Sequence, residues 1–239
     1  MSKVYGFFYK LGAFIEKAAK KVASTTKVLW KKFVENFIKM PLRIMSHPIV
    51  GYTEFKEDKK GKLSVAIGMV LIYALLTIIR YNADGIVINA KDPTKFNSIQ
   101  LLIYTVVPLI ILSVANWSIT TLMNGKGNMK QIITMGGYSY FPLIVFGIIN
   151  VILSNFVTVD EAQIITLLSV LSFVLMGYMI FMGLVVIHEY GVAKAILTII
   201  LTILATAVIL FIALLIFDLS SQIYGFLYSL YKEIVSRFF

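Results

Sequence analysis

The sequence contains no cysteine, so it can form neither a disulfide nor a thiolate-bound metal site. Histidine is nearly absent. His47 and His188 are the two in the chain, too few for a histidine-based metal centre. His188-Glu189 is not a zincin motif, because Val192 stands where that motif needs its second histidine. No Ser/His/Asp set and no Gly-x-Ser-x-Gly elbow occurs. Gly125-Lys126-Gly127 is too short for a phosphate-binding loop. The most telling absence is charge. Five apolar runs hold no ionisable side chain: Leu63–Ile79, Ile99–Met123, Ile132–Thr158, Ala162–Ile187 and Ala195–Phe217. Proton and ion pumps need buried charge along their path, and voltage sensors need arginines within a span. Neither class fits.

What is present is apolar. The chain of 239 residues is 59% hydrophobic, with a mean hydropathy of +0.88. A bilayer core of about 30 Å takes roughly 20 helical residues, and backbone in lipid must satisfy its own hydrogen bonds. The last four runs reach that length and the first is at its short end. The expected fold class is an all-α polytopic membrane protein with five transmembrane helices, flanked by amphipathic N-terminal and C-terminal helices. The expected organisation is a cytoplasmic basic segment over 1–62, a five-helix domain over 63–217 and an extracytoplasmic amphipathic helix over 218–239.

Charge gives the orientation. Residues 1–62 carry 14 basic and 5 acidic residues, whereas the remainder carries 8 and 7. Basic flanks stay cytoplasmic, so the N-terminus is expected inside and, after five crossings, the C-terminus outside. The short link Asn124–Gln131 carries Lys126 and Lys130 without an acid. Asn155–Gln163 carries Asp160 and Glu161 without a base. Both agree. Lysine far outnumbers arginine, which fits an AT-rich bacterial genome, and the expected site is the bacterial plasma membrane.

Within the basic segment, Val4, Phe8, Leu11, Ile15, Ala18, Val22 and Leu29 follow a seven-residue repeat, with Lys10, Lys17, Lys20 and Lys21 off the stripe. That regularity argues for an amphipathic helix and against a nucleic-acid arm. The helix would lie on anionic lipid of the inner leaflet, pack on a protein partner, or join its own bundle. Trp30, Phe33, Phe37 and Met40 extend the apolar face to Pro41, which should end or bend it. The highly charged stretch Phe55–Lys62 reads as a solvated link.

Polar residues gather near the inner ends of the spans. Asn116 and Trp117 descend in the second, while Tyr138, Tyr140 and Pro142 rise in the third. His188 and Glu189 close the fourth, Lys194 opens the fifth, and Lys126 sits in the glycine turn. These positions are the candidate inner-face cluster. Two readings remain open: a ligand or partner site, or ordinary interfacial anchoring and helix–helix hydrogen bonding. Asn150 stands apart, nearer the outer face.

The ordered set of His47-Pro48, Lys59-Lys60-Gly61-Lys62, Asn116-Trp117, Gly125-Lys126-Gly127, Tyr138-Ser139-Tyr140-Phe141-Pro142 and His188-Glu189-Tyr190 resembles the Ypt/Rab-interacting protein (Yip) family, in its bacterial branch. The resemblance covers roughly residues 45–225. It implies a five-helix integral membrane fold with a cytosolic N-terminus. Eukaryotic relatives are linked to Rab GTPases and membrane shaping; bacteria lack that system, and some bacterial relatives are encoded near sugar ABC transporters. The long N-terminal helix departs from the minimal family pattern.

The tail Leu219–Phe239 places Ile223, Phe226, Leu227, Leu230 and Ile234 on one face, and is expected to lie along the outer membrane surface or dock on an extracytoplasmic partner. The functional expectation is a non-catalytic accessory or scaffold subunit, with no cofactor. Its partners would be membrane lipid and other membrane proteins, ABC transporter permeases among them, and no nucleic acid. The alternative is a permease-like or channel subunit for a neutral solute. A third class, a lipid-modifying activity at His188-Glu189, would need those two side chains for chemistry.

Overall fold

The computed structural model describes residues 25–57, 60–89, 92 and 95–238. Most of the expected N-terminal stripe, in residues 1–24, lies outside them. Among the described residues all regular structure is helical. Helix α1 (25–34) runs through a π-helical stretch, Glu35–Lys39, into α2, Met40–Ser46. Pro41 does not end the helix as expected. The wider π turn lets the Met40 N–H reach back to Glu35 O, and the ring of Pro41 enters at the first turn of α2, where no donor is missed. The break comes instead at His47. Its backbone turns away from helical geometry (φ −134°, ψ 71°) ahead of Pro48, as residues before proline tend to do. Pro48–Lys56 then forms α3.

Among the described residues five helices are long and apolar enough to cross a membrane, as the charge-free runs required. They are α4 (Leu63–Ala83), α5 (Ser98–Leu122), the pair α6 (Met129–Tyr138) and α7 (Phe141–Ser154), α8 (Ala162–His188) and α9 (Val192–Phe238). The third crossing is interrupted at Ser139-Tyr140, and Pro142 sits in the first turn of α7. Its missing donor and ring clash thus fall where the helix restarts. Pro108, by contrast, is absorbed inside α5. At its other end α6 opens on a capping box: the Asn128 side chain accepts from Gln131 N–H, and the Gln131 side chain accepts from Asn128 N–H.

The third crossing is the axis of the bundle. Over an 18-residue apolar stretch, 72% of its residues are buried, against 33%, 17%, 28% and 6% for the equivalent stretches of the other four in chain order. α4, α5 and α8 pack around it, and α9 stands outside against α5 and α8. Close approach depends on small residues. A Cβ on Gly137 would lie 2.6 Å from Ala66 Cβ of α4. Such contacts, together with interhelical hydrogen bonds, hold helices together where lipid is as apolar as protein. Asn150 Nδ2 donates to Ser169 Oγ across α7 and α8 at 2.9 Å. Tyr140 OH donates to Thr105 O of α5 at 3.0 Å. At the acidic end, Gly85 N–H donates to Ser154 Oγ, and the Arg80 guanidinium meets the Asp84 carboxylate.

Two expectations change. The core includes Ile44, Tyr52 and Phe55 from the α2–α3 hairpin beside Ala66, Met135, Tyr138 and Leu184. The packed unit therefore begins well before Leu63. Phe55–Lys62 is not a solvated link throughout: Phe55 is buried, and its ring meets that of Tyr138 edge-on at 5.5 Å. At the far end, the tail does not form a separate helix along the membrane surface. α9 continues without interruption for 47 residues, about 70 Å at the helical rise. Gly225 is the one glycine in the tail, and no proline follows Leu219 to stop the helix.

Candidate functional site

The candidate residues separate into three places. The first is a charged latch where α8 ends. Helix α8 stops because Glu189 takes a left-handed backbone (φ 55°, ψ 43°), with its N–H returning to the last carbonyls. That turn aims the carboxylate sideways at two lysines. Lys56 Nζ, from α3, lies 2.6 Å from Oε1, and Lys126 Nζ, from the glycine turn, lies 2.5 Å from Oε2. Hydrogen bonds from Lys126 and then Lys56 hold the Glu189 carboxyl well below the usual carboxylate range, at about 2. One carboxylate thus joins three segments distant in sequence.

His188 packs beneath the latch. It is 1% exposed, and its ring stacks on Tyr190 with centroids 5.3 Å apart. Gly127 N–H donates to His188 Nδ1 at 3.3 Å. Accepting there places the proton of the neutral ring on Nε2, which is buried with no hydrogen-bond partner among the described residues. The glycines of the turn are required by proximity. A Cβ on Gly125 would lie 2.5 Å from His188 Nδ1 and 2.6 Å from the Tyr190 hydroxyl. Tyr190 OH in turn shares its proton between Met123 O and Thr120 O at the end of α5, at 3.4 and 3.3 Å, and Thr120 O also accepts from Gly125 N–H. Burial pushes the Tyr190 phenol pKa up. Lys194 Nζ sits 4.3 Å from the centre of the same ring, a cation–π contact.

The second place lies deeper. A cavity of about 170 Å³ is bounded by α5, α6, α8 and α9. Asn116 and Tyr140 both line it. Asn116 Nδ2 donates to Thr202 Oγ1 of α9 at 3.1 Å, while Asn116 Oδ1 is buried and unpartnered.

The third place is not shared. Trp117 is 45% exposed on the outer surface of α5, apart from its neighbour Asn116. Tyr138 is fully buried in the core, and its hydroxyl accepts from Lys62 N–H at 3.5 Å. The expected single cluster is thus a latch of Lys126, His188, Glu189 and Lys194, a cavity with Asn116 and Tyr140, and two structural aromatics. Sequence reasoning missed Lys56 and Tyr52. Lys56 lies 133 residues from its partner, so no local pattern reveals the pair. Tyr52, three residues before Phe55, forms the buried face of α3, and burial raises its phenol pKa.

A family model described as the Yip1 domain matches residues 42–231. No curated protein and no solved structure matches the chain.

Proposed function

The chain belongs to the Yip1 domain family, and on that premise we propose that this integral membrane protein is a non-catalytic accessory or scaffold subunit of a larger membrane assembly. The observation that carries this reading is α9. The helix is 6% buried within its own chain, and at about 70 Å it is more than twice the thickness of a bilayer core. Beyond Phe217, Ile223, Phe226, Leu227, Leu230 and Ile234 are all exposed. An apolar face that the described residues of its own chain leave exposed suits another membrane protein laid along it.

The latch supports the same role from the other side. Glu189 is clamped by two ammonium groups, so it serves as a structural acceptor rather than as a base. The excess of basic residues in 1–62 argues for a cytoplasmic latch and contact with anionic lipid. The exposed rings of Trp30 and Phe33, stacked at 5.9 Å and continued at 4.7 Å by the half-buried Phe37, suit that headgroup layer. The partner proposed is the permease subunit of a sugar ABC transporter, as in the gene neighbourhoods of some bacterial relatives.

The test is purification of the full chain from its native membrane in gentle detergent, followed by mass spectrometry. A transporter permease recovered at fixed stoichiometry, and lost when residues 218–239 are deleted, is the expected result. A clean monomer or lone homo-oligomer contradicts it.

A further inference from the structure

We propose that the cavity beside Asn116 is a binding site for a lipid alcohol, an apolar amphiphile whose hydroxyl is drawn in from the membrane. The cavity is large enough, at about 170 Å³. Apolar cavities of about 150 Å³ take a benzene-sized body and stay free of water. Its walls are largely aliphatic, with Leu109, Ile132, Met176 and Leu184 among them.

One feature of the walls is out of keeping with that character. Asn116 is 6% exposed, its amide is bonded at one end to Thr202, and its Oδ1 has no partner among the described residues. An unsatisfied buried acceptor costs about 1–3 kcal/mol. A simple acyl chain cannot relieve that cost, because it carries no donor. A hydroxyl can, and since it both donates and accepts it matches either end of the amide.

The route is lateral. Leu112 and Ile203 line the cavity and are 42% and 59% exposed on the outside of α5 and α9. A chain leaving past them enters the hydrocarbon directly. Asn116 lies six residues before the end of α5 at Leu122, about 9 Å along the axis. A lipid hydroxyl reaches that depth just below the headgroups. This site is independent of any partner along α9, and stands or falls separately from it.

The test uses the full chain in nanodiscs of phosphatidylcholine and phosphatidylglycerol. The probe is a long-chain alcohol carrying a diazirine near its hydroxyl; the control is its methyl ether, which cannot donate. On illumination the alcohol should label peptides of α5 and α9 about tenfold more than the ether, the ratio one buried hydrogen bond provides. Asn116→Leu, which keeps the bulk and removes the amide, should make the two probes equal. Equal labelling of the unaltered protein overturns the proposal and assigns the Asn116 amide to water. Selectivity that survives Asn116→Leu overturns it as well. The comparison of the two probes on unaltered protein needs no variant, so a folding defect in Asn116→Leu would leave the decisive result intact.

Discussion

The third and fifth crossings are both apolar enough to span a bilayer, yet they are built on opposite principles. The third has a mean hydropathy of 1.7 and is 72% buried; the fifth has 3.2 and is 6% buried. The less apolar helix is the one at the centre. Inside a membrane, burial against protein is not driven by hydrophobicity, because lipid tails are equally apolar. Small residues and polar side chains mark the central helix, since they allow close packing and make hydrogen bonds there. Gly136, Gly137 and Gly147 each meet a neighbouring helix so closely that a Cβ would fall within 2.7 Å of it. In α9, a Cβ on Gly225 would meet nothing within 4 Å. Aliphatic residues all round mark a helix that faces lipid or a partner outside its own chain.

Glycine substitution should break this contrast most sharply. Gly137→Leu drives a side chain into the Ala66 backbone of α4, whose carbonyl O would lie 2.8 Å from the new Cβ. The expected cost exceeds about 3 kcal/mol and few molecules should stay folded. Gly225→Leu in α9 should leave thermal unfolding in detergent unchanged or slightly raised, because leucine favours the helix. Equal losses at both positions would refute the division between core and periphery.

A smaller effect is expected from Tyr140→Phe, which removes the bond to Thr105 O. Interhelical hydrogen bonds in membranes average about 0.6 kcal/mol and reach about 1.7 kcal/mol, so a modest drop in unfolding temperature is expected. Thr206→Val, whose hydroxyl bonds within its own helix to Thr202 O, should cost less by the same assay.

The latch sharpens the comparison at the membrane surface, where water screens the ion pairs. Glu189→Gln should loosen the contact of α3 and the glycine turn with α8, read as faster amide exchange at Lys56 and at Gly127, whose N–H donates to His188, while the central crossing stays protected. The pH dependence follows from the carboxyl, lowered from its ordinary 4.5 to about 2. A depressed carboxyl stabilises the folded state fully above its unfolded value and loses that contribution as pH falls through the folded one. The protection factors of the latch amides, which correct for the intrinsic pH dependence of exchange, should therefore fall between about pH 4.5 and 2, and the Gln variant should show no such fall. The least effect is expected from deleting residues 218–239: all of 218–237 are exposed, so the unfolding temperature of the bundle should not change.

The spans were legible because charge is intolerable in hydrocarbon, and five charge-free runs leave little choice. Pro142 marked a disturbance in the third crossing but not that the helix would stop and restart around Ser139-Tyr140. The α2–α3 hairpin was hidden by its own charges. Tyr52 and Phe55 stand three apart on one face of a short helix, and Glu54, Lys56 and Glu57 between and beside them make the stretch read as solvated. The tail was misread because an amphipathic stripe is compatible with both a surface helix and an extended one. At the site, Lys126 and Glu189 were each legible as end-of-span residues. Their meeting with Lys56 depends on three chain segments converging, which periodicity does not encode.

The natural absence of cysteine makes the decisive measurement straightforward. Lys126→Cys and Ser229→Cys each place one thiol at an exposed position on either side of the fifth crossing. Intact cells would be treated with a maleimide that cannot cross membranes. Five crossings with the latch inside predict that Ser229→Cys is labelled at once, and Lys126→Cys only after the membrane is opened. Labelling of both from the same side would contradict the account.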